Sequence, residues 1–295
     1  MVIHNADRRM QIYGALLLLP AAVLLGTFAY LPTVATLVNS LFLPGFRGAP
    51  PEFVGLENYA LLIEDRTFWK VARNNLIYAL GTIPTSIALA LGMALFVNAR
   101  LPGRGLVRMA YFTPTILPMI AAANIWMFFY APQIGLFNKL LGVIGISGPN
   151  WLGDPGVALT SVIVMTIWKE AGFFMIFYLA ALQSIPPELE EAADLEGTSR
   201  WGFFWRVTFP LLMPTTLFVL INALINAVRV VDHLFILTKG GPNNATNLLL
   251  YYVYENAFSF FDRTYAATIT VVILLVLAVV ATIKFRVLDP RTHYQ

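Results

Sequence analysis

The chain has 295 residues, 58% of them hydrophobic and 12% charged, with a mean hydropathy of +0.72. A water-soluble domain carries about 25% charged residues, so this composition excludes one. The formal charge of +3 comes without a patch of interleaved basic and aromatic residues, which argues against nucleic-acid binding, and the lack of cysteine excludes disulfides and thiolate metal sites.

Crossing about 30 Å of hydrocarbon takes about 20 mostly apolar residues in a helix. In chain order, six segments meet that demand: 13–43, 75–97, 106–130, 157–182, 211–237 and 265–286. The predicted fold class is therefore all-α, a polytopic membrane helical bundle of six transmembrane helices in a lipid bilayer. A tail over 1–12 precedes one domain over 13–288, and a second tail covers 289–295. Pro20, Pro32, Pro84, Pro114, Pro118 and Gly172 fall inside these segments, where packed membrane helices tolerate them. The first segment follows Arg8-Arg9, as an export signal would, but it is longer than the 7–15 residues of a signal core, so it is expected to be retained.

Between the fourth and fifth segments lies a polar island, 184–210. Ser184 is suited to cap a helix, Pro186 and Pro187 to occupy its first turn, and Glu188, Glu190 and Glu191 to favour the positive end of its dipole. Gly197 can end that helix in a left-handed conformation, and Ser199 can cap a second, aromatic-rich helix before Pro210. Small Ala192 and Ala193 allow close approach by a partner. With six spans and the N-terminus inside, the internal side holds ten basic residues (Arg8, Arg9, Arg100, Arg104, Arg108, Arg200, Arg206, Lys284, Arg286 and Arg291). The external side holds seven: Arg47, Arg66, Lys70, Arg73, Lys139, Lys239 and Arg263. The positive-inside rule thus puts the island and both termini in the cytoplasm.

Glu191-Ala192-Ala193, then Gly197, then nine residues before Val207-Thr208-Phe209-Pro210, resembles the EAA loop of binding-protein-dependent ABC importer permeases of the type I fold. This chain departs from that family by Val-x-Phe-Pro for Ile-x-Leu-Pro and by Glu196-Gly197-Thr198 for Asp-Gly-Ala. The run Phe53 to Tyr59 with Phe68-Trp69 and Asn74, and the run Thr238 to Pro242 with Thr246, Tyr254 and Phe258, resemble external loops of the carbohydrate branch; Thr264 stands where that branch often has Gly. The closing Tyr294-Gln295 is similar to glycerol-phosphate permeases. The resemblance implies a subunit of an importer for a sugar, polyol or glycerol phosphate in a bacterial cytoplasmic membrane. Its implied partners are a second permease, two ATP-binding subunits docking at Glu191, Ala192, Ala193, Gly197 and Pro210, and a periplasmic or extracellular solute-binding protein. No cofactor is expected on this chain, because the partner subunits would hydrolyse ATP.

The residues themselves agree that the chain is no enzyme. There is no Gly-x-x-x-x-Gly-Lys phosphate loop, and His4, His233 and His293 are far apart in sequence. Ionisable residues within spans are costly and usually face a cavity or a partner. Lys169 and Glu170 lie mid-way along the fourth segment. In the fifth, Asn222, Asn226, Arg229 and His233 would fall at about 0°, 40°, −20° and 20° on a helix turning 100° per residue. Asp232 follows Arg229 at pairing distance on such a helix. These groups are expected to line a path for a hydroxyl-rich solute; the alternative use of the same stripe is as glue between helices. A free Arg229 would leave room for an anionic solute. A proton- or sodium-driven transporter using Glu170 and Asp232 is the rival from another class, and it would leave the polar island without a purpose.

Overall fold

A computed structural model describes residues 2–43, 45, 50–99 and 102–283. The tail 289–295, with Tyr294-Gln295, and the basic residues Arg47, Arg100, Lys284, Arg286 and Arg291 lie outside the described residues.

The described chain is helical, apart from one two-stranded hairpin. Helix α1 (Val2–Leu25) passes through a π turn (Gly26–Tyr30) into α2 (Leu31–Asn39). Strands β1 (Phe42–Leu43) and β2 (Glu52–Phe53) pair antiparallel, Phe42 opposite Phe53. Then come α3 (Glu57–Glu64), α4 (Arg66–Asn98), α5 (Arg104–Ile116), α6 (Met119–Phe129), α7 (Leu136–Val143) and α8 (Ala158–Gln183). Short α9 (Pro187–Leu195) and α10 (Arg200–Phe203) lead through a second π turn into α11 (Phe209–Val228), followed by α12 (Asp232–Leu237), α13 (Leu249–Tyr254) and α14 (Arg263–Ile283).

Among the described residues four helical stretches are long and apolar enough to cross a membrane: Tyr13–Asn39, Arg66–Asn98, Ala158–Gln183 and Arg200–Val228. A bent pair, Arg104–Ile116 with Met119–Phe129, makes a fifth if it is one span, and Arg263–Val279 is a shorter apolar helix. Each of the six expected segments coincides with a helix among the described residues, in the expected order; the first stops at Asn39, with Phe42–Leu43 in β1, and two others differ in form. The third is broken, its halves bent by 102°. Pro118 supplies no N–H and disfavours helical geometry at Leu117, whose φ of −67° and ψ of 134° are extended. The fifth ends at Val228 instead of continuing to 237. Val228, Val230 and Val231 are β-branched and weak helix formers, and Asp232 begins a new helix where its charge suits the N-terminal dipole.

The chain groups into two compact units. In the unit of Met1–Glu64 and Val253–Leu275, buried Asn58 donates to the carbonyls of Ser40 (3.0 Å) and Phe42 (2.8 Å), and Ser40 Oγ lies 2.8 Å from Tyr59 Oη. The run around Asn58-Tyr59 thus pins the hairpin to the end of α2.

In the unit of Asp65–Tyr252 and Val276–Gln295, α8 is the central helix, packed along α4 and against α5 and α11. Its core includes Tyr78, Ala90, Met165, Phe174, Tyr178, Leu179, Leu212, Val219 and Leu234. Of the long helices α8 is the most enclosed, with 56% of its most apolar window buried, which explains why intramembrane charge at its middle must find protein partners. The loop after α12 is fixed by side chains of α4: Lys70 Nζ donates to Asn243 O (2.6 Å) and Asn74 Nδ2 to Asn244 O (2.7 Å). Thr246 Oγ1 lies 2.7 Å from both Thr238 Oγ1 and the Gly241 carbonyl, closing that loop on itself.

Candidate functional site

The break between α11 and α12 opens a cavity of about 330 Å³ in the second unit. Tyr78 of α4, Met119 at the start of α6, and Thr166 and Glu170 of α8 line it. Asn226 of α11, and Arg229, Val230, Val231, Asp232 and His233 at the break itself, line it as well. The polar wall is held by a relay across three helices. Tyr78 Oη donates to Thr166 Oγ1 at 2.9 Å, and that oxygen lies 3.3 Å from His233 Nε2. Thr166 Oγ1 also reaches the Val162 carbonyl of its own helix (2.9 Å). His233 is fully buried, so its ring serves as an internal partner. Asn226 and Glu170 both line the cavity.

The expected path residues divide. Glu170, Asn226, Arg229 and Asp232 meet in this cavity. Among the described residues no ion pair joins Arg229 to Asp232; Arg229 ends α11 and Asp232 begins α12, so the helical spacing that would have paired them is lost. Asn222 does not line the cavity, and its amide donates to the Phe218 carbonyl one turn back (2.8 Å). Lys169 also points elsewhere: its ammonium donates to the carbonyls of Leu117 (2.6 Å), Pro114 (3.1 Å) and Thr115 (3.5 Å). The single stripe of Asn222, Asn226, Arg229 and His233 is thus corrected to a site assembled from five helices, α4, α6, α8, α11 and α12. Sequence reasoning missed Tyr78, Thr166 and Met119. For the first two the available signal was a hydroxyl inside an apolar run, which a packed membrane helix carries only with a partner.

A second constellation is the polar island. Ser184 caps the end of α8, its Oγ donating to Ala181 O at 2.8 Å, so it does not start the next helix as expected. Pro186 holds the N-cap position of α9 and Pro187 its first turn. Gly197 has φ +70°, with its N–H on Asp194 O (3.1 Å) and the Thr198 N–H on Ala193 O (2.9 Å). That pair of bonds is a Schellman ending, which satisfies carbonyls left open at the helix terminus. Ser199 Oγ accepts from Gly202 N at 3.1 Å and so starts α10 as expected. Trp201, Phe204, Trp205 and Phe209 then form an aromatic cluster at centroid distances of 5.1–6.0 Å, Trp201 stacked on Phe204 and the other pairs edge-on or tilted. Glu191, Ala192, Gly197 and Pro210 are exposed and Ala193 is half-buried. Leu195, on α9, is 91% exposed, and Trp201, in the first turn of the stretch that runs on into α11, is 70% exposed.

The family described as "Binding-protein-dependent transport system inner membrane component" matches residues 83–294. The sulfoquinovosyl glycerol transport system permease protein of Agrobacterium fabrum is 32% identical, covering 94% of this chain and 91% of its own. The lactose transport system permease protein of Rhizobium radiobacter is 34% identical over 95% of both chains. The sn-glycerol-3-phosphate permease protein of Agrobacterium fabrum is 29% identical over 96% of this chain and 97% of its own. Among solved structures, a bacterial ABC transporter involved in the import of the acidic polysaccharide alginate superposes with a TM-score of 0.83 at 24% identity, over 99% of both chains, which speaks for the fold. Multiple apolar helices and an exposed helix-turn-helix between two of them are therefore the features of a multi-pass membrane permease, and the chain belongs to the family of binding-protein-dependent transport system inner membrane components.

Proposed function

We infer that this permease forms half of the solute path of an ATP-driven importer for a sugar, polyol or sugar-like solute. The observation that carries this reading is the pairing of a polar cavity with an exposed, rigidly capped α9–α10 on one membrane unit. Asn226 offers both a donor and an acceptor to replace water around hydroxyls. The names of relatives, which handle lactose and sulfoquinovosyl glycerol, support the solute class. In this reading α9, with Glu191, Ala192, Ala193 and Gly197, is the lever on which an ATP-binding subunit acts, and Pro210 fixes its junction with the fifth span. The chain itself holds no cofactor. The partners are a second permease, two ATP-binding subunits and an external solute-binding protein, with both termini and α9 in the cytoplasm.

An anionic solute is the second reading. Arg229 faces the cavity without an ion pair to Asp232 among the described residues, and one relative is a glycerol-3-phosphate permease. Gentle purification of the tagged chain followed by mass spectrometry tests the assembly. Recovery with a second permease and an ATPase is expected; recovery of the chain alone, folded and without ATPase, would favour an ion-coupled carrier. Uptake assays comparing a neutral disaccharide with glycerol 3-phosphate separate the two solute readings.

A further inference from the structure

The break in the third apolar segment creates a chemical debt that Lys169 settles. In a continuous helix the Pro114 carbonyl would accept the N–H of residue 118, but residue 118 is proline and has none. The Thr115 carbonyl would accept from Met119, yet Leu117 and Pro118 turn extended and carry Met119 into a new helix, bent by 102° from the old one. Each backbone group left unsatisfied in hydrocarbon costs several kcal/mol. The Lys169 ammonium, with three donors, reaches Pro114 O, Thr115 O and Leu117 O. Thr115 Oγ1 returns a long bond to the Lys169 carbonyl (3.5 Å). A cation on the last carbonyls of a helix is also favoured by its dipole.

The tether sits next to the cavity on both strands of the junction. Glu170, the residue after Lys169, lines the cavity, and so does Met119, two residues after Leu117. We propose that Lys169 is a positioning residue for solute passage, a tether that fixes the α5–α6 break and thereby sets where Met119 enters the cavity wall. This rests on the reading of the cavity as the solute path, but the geometry is measurable without any solute. The role is distinct from contact with solute, because the three donors of the ammonium are spent on backbone.

The chain contains no cysteine, so Met119→Cys gives a single thiol at the cavity wall. It is introduced with Lys169 kept, with Lys169→Arg and with Lys169→Met, in the full assembled transporter in membranes. The rate of modification by a small methanethiosulfonate reagent is read. Losing hydrogen bonds from a charged donor shifts a local equilibrium by about tenfold or more, so Lys169→Met is expected to change the labelling rate by about that factor, while Lys169→Arg stays within about twofold. If Lys169→Met fails to assemble, Lys169→Gln, which keeps two N–H donors, takes its place and is expected to give an intermediate rate. Labelling unchanged by Met or Gln overturns the tether. So does a shift in preference between a neutral sugar and glycerol 3-phosphate with labelling unchanged, which would make Lys169 a solute contact. A wild-type chain that transports neither solute would instead count against the sugar-importer reading and leave the labelling result to judge the tether.

Discussion

Gly172 of α8 lies directly against the backbone carbonyl of Tyr111 in α5, and a Cβ at that position would run into the carbonyl oxygen and crowd Thr115 Oγ1. Only glycine permits this approach, which brings Lys169, one turn earlier on α8, within reach of the open carbonyls of α5. Small residues at helix contacts in membranes serve packing that larger ones would block.

Gly172→Ala is therefore expected to destabilise the unit by about 1–3 kcal/mol, the usual cost of forcing a methyl into a packed contact. Thermal unfolding of the purified complex measures it. An unchanged midpoint would mean that α5 gives way freely.

Gly197 occupies the left-handed region, at φ +70°, with open space around its Cα. A Cβ there meets no neighbour, so the cost of about 1–2 kcal/mol that any L side chain brings at this φ is backbone strain, which acts on the angle between α9 and α10. The expected outcome for Gly197→Trp is ATP hydrolysis that persists while transport falls. Full coupling of the two rates would refute the lever role of α9.

Asn226 and Asn222 are expected to part company. Asn226→Ala removes an amide that lines the cavity beside Glu170, and a hydrogen bond of that kind is worth about 0.5–1.5 kcal/mol, so solute transport should fall by about threefold to tenfold. Asn222→Ala removes an amide already spent on Phe218 O and should change transport by less than about twofold. Equal effects in an uptake assay would restore the two residues to one stripe.

Thr166→Val takes away the hydroxyl shared by Tyr78 and His233 while keeping the side chain's shape. Stranding a buried polar partner costs about 1–3 kcal/mol. The double variant Thr166→Val with Tyr78→Phe is expected to recover part of that loss, since it removes the stranded hydroxyl as well. A thermal-shift comparison of the single and double variants reads the coupling.

Much of this architecture is local, and local physics is legible in a sequence. Pro187, Gly197 and Ser199 specify the first turn of α9, its end and the start of α10 through backbone preferences that need no distant partner. Ser184 was misread because the same hydroxyl can serve the end of one helix or the start of the next, and the choice depends on where α8 stops. The cavity was only half legible. Glu170 and Asn226 announce themselves as polar groups in apolar runs, whereas Tyr78 and Thr166 are ordinary residues until α4 and α8 are packed together.

The sequence by itself determined the membrane class, the six apolar segments and the capped helix-turn-helix, because each follows from hydrophobic length or from a residue's own backbone and hydrogen-bonding chemistry. Only the tertiary structure decided what Lys169 does. A lysine in a membrane span must find oxygen partners, but which oxygens it finds depends on a break in another helix, at Pro118, and on a glycine, Gly172, that lets the two helices meet.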